Sequence, residues 1–152
     1  MSDYDDSCRI EKEGLKILMP MVRLYSPTKE PTYHADQHNQ TYKGDFTLYN
    51  NGSTKLLEIK TEEKYTGNLF IEIWSNKSTE NPGWLYKLRV DYLWYQFLST
   101  DTVYTMIFNE LHNFMHEQDE EGRRRIDKAY LIKQSKYDQL NDTWGVLQTR
   151  YG

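Results

Sequence analysis

Asp45 and, after twelve intervening residues, Glu58-Ile59-Lys60 are the residues in this chain whose types and spacing can do chemistry. Two carboxylates brought together hold a hard divalent cation through oxygen. An ammonium beside them can orient or activate a water, or neutralise charge developing on a phosphate. The spacing serves this purpose only if the chain doubles back between the two groups, and the local sequence predicts that it does. Gly44-Asp45-Phe46-Thr47-Leu48-Tyr49 reads as a strand. Asn50-Asn51-Gly52-Ser53 reads as a tight turn, because Asn-Gly tolerates the positive φ that such turns need. Lys55-Leu56-Leu57-Glu58-Ile59-Lys60 reads as the return strand. Alternation puts Glu58 and Lys60 on one face and Leu57 and Ile59 on the other.

An acid, a variable gap, then acid-any-lysine on the next strand resembles the motif of the PD-(D/E)xK nuclease superfamily, the restriction-endonuclease-like and Holliday-resolvase-like fold. Gly44-Asp45 stands where the family name has Pro-Asp. The resemblance implies an α/β domain with a central mixed sheet of about four to five strands flanked by helices. It also implies Mg²⁺- or Mn²⁺-dependent hydrolysis of DNA phosphodiesters. Asp45 and Glu58 would hold the metal, the Ile59 carbonyl would be a further ligand, and Lys60 would act on the attacking water. In some resolvase-like members a glutamate of the first helix joins the metal site.

The elements around the hairpin can be read in turn. Residues 7–19 read as an amphipathic helix with Asp6 or Ser7 as N-cap. Ile10, Leu15, Ile17, Leu18, Met21 and Val22 fall on one side, and Pro20 is expected to kink or end the helix. Glu11 lies on the apolar side, which suits the resemblance's first-helix glutamate, with Glu13 at the margin as second choice. An acid near a helix start is also favoured by the macrodipole alone. Residues 26–43 read as a polar loop in which His34 and His38 could flank the site. Leu69-Phe70-Ile71-Glu72-Ile73-Trp74 reads as a third strand, with Glu72 either an auxiliary metal ligand, a partner for Lys60, or a rim acid beneath aromatic edges. Residues 84–98 read as a helix on the sheet, with Asp91 a satisfied core acid.

Residues 102–108 read as a further strand and Asn109 as the cap of a last helix. His112 and His116 lie four apart on that helix without the glutamate of a zincin motif. The resulting order, helix-strand-strand-strand-helix-strand-helix, covers about residues 7–117 and matches the core order of the resembled fold. Arg123, Arg124 and Arg125 form a basic run that either touches phosphate or is solvated surface. Residues 129–133 read as a short strand, and 137–151 as a closing segment with Trp144. The Trp-rich stretch after Glu72 also resembles small phage-encoded members of the superfamily.

Composition bounds the function. The 152 residues are 28% charged and 14% aromatic with thirteen tyrosines, a folded composition that reads as one domain, 1–152, with 118–152 an extension of the core. No apolar run is of membrane-spanning length, so no membrane partner is expected. Met1-Ser2-Asp3-Tyr4-Asp5-Asp6 is acidic without a signal-peptide core, and Cys8 is the single cysteine. Together these point to a reducing cytoplasm, bacterial or that of a phage-infected host. A net charge of −4 argues against indiscriminate coating of nucleic acid and against gripping a large branched junction. DNA is the expected partner. A homodimer, a catalytically inactive protein of the same fold acting through a protein partner, and an RNA-directed nuclease are compatible with the same residues.

Overall fold

A computed structural model describes residues 3–66, 68–76, 78–120, 129–133 and 147–150, with side-chain surroundings for 5–116 apart from 67, 74 and 77. The elements in order are α1 (Asp3–Leu24), β1 (Thr32–Tyr33), α2 (Gln37–Lys43), β2 (Phe46–Asn50), β3 (Ser53–Glu62), β4 (Asn68–Glu72), β5 (Trp74–Asn76), β6 (Asn81–Pro82), α3 (Trp84–Lys87), β7 (Tyr92–Phe97), β8 (Thr102–Ile107), α4 (Phe108–Glu120), β9 (Ala129–Lys133) and β10 (Leu147–Arg150). The architecture is α/β, built on a mixed sheet ordered β1-β2-β3-β7-β8-β10. Its one parallel pair is β3 with β7, and the other neighbours are antiparallel.

The hairpin forms as its sequence dictates. Asn51 and Gly52 both take positive φ, 49° and 84°, so the two-residue loop has the twist that matches its flanking strands. Phe46 then pairs with Leu57 and Asn50 with Ser53. Leu57 and Ile59 face α1, where Leu18 and Val22 pack with Phe46, Leu48, Trp94 and Val103. The opposite face carries Leu93, Tyr95, Phe97, Tyr104 and Met106 against Ile71 of β4, Leu85 of α3 and Leu111 and Met115 of α4. Each fully buried aliphatic or aromatic side chain contributes roughly 1.5–3 kcal/mol. The sheet is thus the middle layer of three.

Four sequence expectations are corrected. α1 is not ended by Pro20 but continues to Leu24. Pro20 is exposed, so water can satisfy the carbonyl it leaves without a donor, while Leu18 and Val22 hold both sides of it to the sheet. Residues 84–98 are not one helix: α3 stops after a single turn and β7 follows. Five of the six residues of β7 are buried, and a strand covered on both faces reads as a continuous apolar run, which helical spacing mimics. β4 does not join the main sheet. It pairs with β9, and β7 takes the place beside β3. Residues 26–43, read as loop, contain β1 and α2, the latter capped by Asp36, whose carboxylate accepts the Asn39 N–H at 3.2 Å.

Candidate active site

Gly44 and the length of β3 create the site. β2 begins opposite Leu57, so residues 58–62 run on past it with one edge uncovered by a strand. The chain reaches β2 from α2 through Gly44, whose φ of 72° and ψ of −158° suit glycine alone. A Cβ there would lie 2.7 Å from the Leu57 carbonyl oxygen. The turn delivers Asp45 to the open edge. Its N–H donates to the Leu57 carbonyl at 2.8 Å, and its Oδ2 accepts the Ile59 N–H at 2.8 Å. A strand residue sends its N–H and C=O to the same edge. The Ile59 carbonyl therefore faces that edge too.

His34 fixes this turn. Its backbone N–H donates to the Asp45 carbonyl at 2.8 Å. Ring Nδ1 lies 2.9 Å from the Gly44 carbonyl, which can only accept, so Nδ1 carries a proton; Nε2 is 2.7 Å from Thr47 Oγ1. The loop histidine thus holds Asp45 in place from behind. His38 is exposed and packs edge-on against Tyr42.

Asp45 and Glu58 are 3% and 7% exposed, and they form the floor of a cavity of about 700 Å³. Burial pushes the Asp45 carboxyl well above the usual carboxylate range. A hydrogen bond with Glu58 and the charge of Glu58 push it further, against the opposing Ile59 N–H and Lys60. Two carboxylates this close repel when both are charged, and the cost falls on the more deeply buried Asp45. Lys60 Nζ stands 3.6 Å from Glu58 Oε2 and 4.9 Å from the centroid of the Trp84 ring, inside cation–π range. The ammonium is held between an acid and an aromatic face.

The remaining acids occupy the walls. Glu11 lines the cavity from α1, and its carboxyl is pushed up by burial and by Asp45, with Lys60 opposing. Glu13 instead turns to Arg9, at 3.5 Å, and is not among the lining residues. Glu72 lines the cavity from β4, and Gly83 packs against it so closely that a Cβ would sit 2.6 Å from Glu72 Cγ. Tyr33 stands nearby, its phenol accepting from Gln40 Nε2 at 2.9 Å. Burial raises its pKa, and the charges of Asp45, Glu11 and Glu58 add to that against the Gln40 hydrogen bond, so it shares the acidic field of the site.

Sequence reasoning missed several lining residues. Gln37, Gln40 and Thr41 come from α2, announced only by its Asp36 cap, and Trp84 and Lys87 come from α3. Glu62 ends the same strand face. Burial raises its carboxyl against a hydrogen bond with Tyr95, and its Oε2 is buried without a hydrogen-bond partner. Asp91 is structural: its Oδ2 accepts the Leu56 N–H at 2.8 Å where β7 begins. His112 lies off the cavity, edge-on to Tyr86, its pKa lowered by burial, His116 and Arg89. Arg123, Arg124 and Arg125 lie outside the described residues.

The donor set fits a hard divalent cation. Two buried carboxyl groups present oxygen to the cavity, and a carbonyl oxygen faces the same edge. Among the described residues no group of three or more His, Cys, Asp or Glu is gathered to hold an ion. Magnesium commonly takes only one or two carboxylates and keeps several waters. Compared with known proteins, the chain matches no protein-family model, no curated protein and no solved structure.

Proposed function

We propose that this chain is a metal-dependent nuclease of the restriction-endonuclease-like class, hydrolysing DNA phosphodiester bonds with Mg²⁺ or Mn²⁺. The observation that carries the reading is the buried Asp45–Glu58 pair on a cavity floor with the Lys60 ammonium 3.6 Å from Glu58. Asp45, Glu58 and the Ile59 carbonyl would hold the cation, with Glu11 and Glu72 on the walls as auxiliary acids. A bound divalent cation supplies an acidified water and charge neutralisation at the scissile phosphate. Lys60 orients the attacking water and stabilises the negative charge that builds on the phosphoryl oxygens. Trp84 and Glu58 keep its ammonium in place without consuming its charge. The burial of Asp45 and Glu58 places their interactions in a less screened medium.

Incubation with DNA in Mg²⁺, Mn²⁺ or EDTA tests the proposal. Cleavage is expected in the metals and absent in EDTA. Asp45→Asn and Glu58→Gln should abolish it. Lys60→Ala should lose roughly 10²–10³ in rate, as a lost charge-stabilising donor does, while Mn²⁺ still raises its melting temperature. Normal cutting by any of the three variants would remove the proposed site. The wall acids separate by geometry. Glu11→Gln should weaken the Mn²⁺-induced rise in melting temperature, and Glu13→Gln, on the Arg9 side, should leave it unchanged.

A further inference from the structure

The catalytic pair is recessed, and the recess is walled on several sides. Ser7, Ile10 and Glu11 of α1 stand on one side, Gln37, Gln40 and Thr41 of α2 on another. Glu72 of β4 and Trp84 of α3 close a third. About 700 Å³ is the size of a small-ligand pocket rather than of a groove that accepts a macromolecular rod. A phosphodiester in an intact duplex is carried on a stiff helix with its complementary strand alongside. To reach Asp45 and Glu58, at 3% and 7% exposure, it must bring that bulk down between the residues of α1, α2 and α3 that line the recess. A separated strand is flexible and narrow enough to thread in.

Charge argues the same way. Among the described residues two cationic side chains, Lys60 and Lys87, line the cavity, against six carboxylates: Glu11, Asp45, Glu58, Glu62, Glu63 and Glu72. The whole chain carries −4. Duplex binders without base readout depend on many phosphate contacts, and this cavity offers few. It offers instead neutral hydrogen-bonding groups that can pair with base edges or phosphate without demanding high charge: the Gln37 amide, and what the Gln40 amide retains beyond its bond to Tyr33.

Building on the nuclease reading, we propose that the substrate of this site is a single-stranded polynucleotide segment or frayed end, engaged over a short footprint, and not an intact duplex. The full chain is mixed with a labelled single strand, the same sequence as a blunt duplex, a duplex with a single-stranded overhang, and the matching RNA strand. Binding is followed by fluorescence anisotropy in Ca²⁺ and cleavage in Mn²⁺. The single strand should bind and be cut at least about tenfold better than the blunt duplex, with cuts in the overhang confined to its unpaired part. Two cationic contacts set a slope of log K against log salt of about −1.4 for single strands. The RNA arm distinguishes the sugar within the same class. Blunt duplex bound or cut as well as the single strand, a slope steeper than about −3, or binding of neither form would overturn the inference. Preferential binding of the single strand with no cleavage in Mn²⁺ would uphold it while removing the nuclease reading.

Discussion

Asp45 is a carboxyl that the fold would rather keep neutral. Its folded-state pKa stands above its unfolded value of about 3.8, with burial the largest cause. The stabilisation is therefore complete below that unfolded value and is lost as pH rises through the raised folded one. At neutral pH the ionised pair costs stability, about 1.4 kcal/mol for each pH unit of the shift. Asp45→Asn should accordingly melt higher than the wild type at pH 7 in metal-free buffer, by roughly 2–4 °C per kcal/mol. An Asn oxygen can still accept the Ile59 N–H. The advantage should shrink as pH falls toward 4, and differential scanning calorimetry across that range reads it directly. A variant less stable than wild type at pH 7 would mean the pair is not strained. On the proposed nuclease reading, Trp84 positions Lys60 through the ring contact at 4.9 Å. A cation–π contact is worth about 0.5–2 kcal/mol, so Trp84→Leu should lose roughly three- to thirtyfold in turnover. Trp84→Phe should recover most of it, and a loss equal in both variants would assign Trp84 to packing alone.

At the level of elements, the site depends on where β2 begins. Gly44 ends α2 and turns Asp45 onto the open edge of β3. Gly44→Ala places a Cβ 2.7 Å from a backbone oxygen at a φ of 72°, in a region that costs a non-glycine roughly 1–3 kcal/mol. Urea denaturation should show a loss of that size, and cleavage should fall with it because Asp45 moves. The hairpin was legible from sequence because Asn-Gly fixes its turn and period-two alternation fixes its faces. So was the existence of the first helix, though not its extent from Asp3 to Leu24, and Glu11 lines the cavity from an exposed position. β7 was not, since its run of large buried residues carries no alternation and Leu88, Asp91 and Tyr95 fall at helical spacing by coincidence. The parallel partnership of β3 and β7 was equally hidden: no local signal says which distant strand will fill a neighbour's place. For the same reason Trp84 could be seen only as packing, and its place over Lys60 emerges from the one-turn α3 set on β4 by Gly83.

Across the whole molecule, acid concentrates in the cavity while the sheet's two apolar faces hold the layers together. Among the described residues no helix is long and apolar enough to cross a membrane. The mixed sheet joins a contact close in sequence, β2 with β3, to one far away, β3 with β7 across the chain from Glu62 to Tyr92. That difference in separation has a kinetic consequence. Hairpins form in microseconds, whereas distant parallel pairing waits on loop closure and is slow. Asp45 and Glu58 therefore meet first in a hydrated ribbon, where water screens their repulsion, and lose that screening only when β7 and the outer layers dock. If docking completes after the rate-limiting barrier, the repulsion is felt by the finished protein and not by the nascent one. Relieving it in Asp45→Asn would then slow unfolding and leave refolding nearly untouched, a split that the two arms of a chevron plot separate.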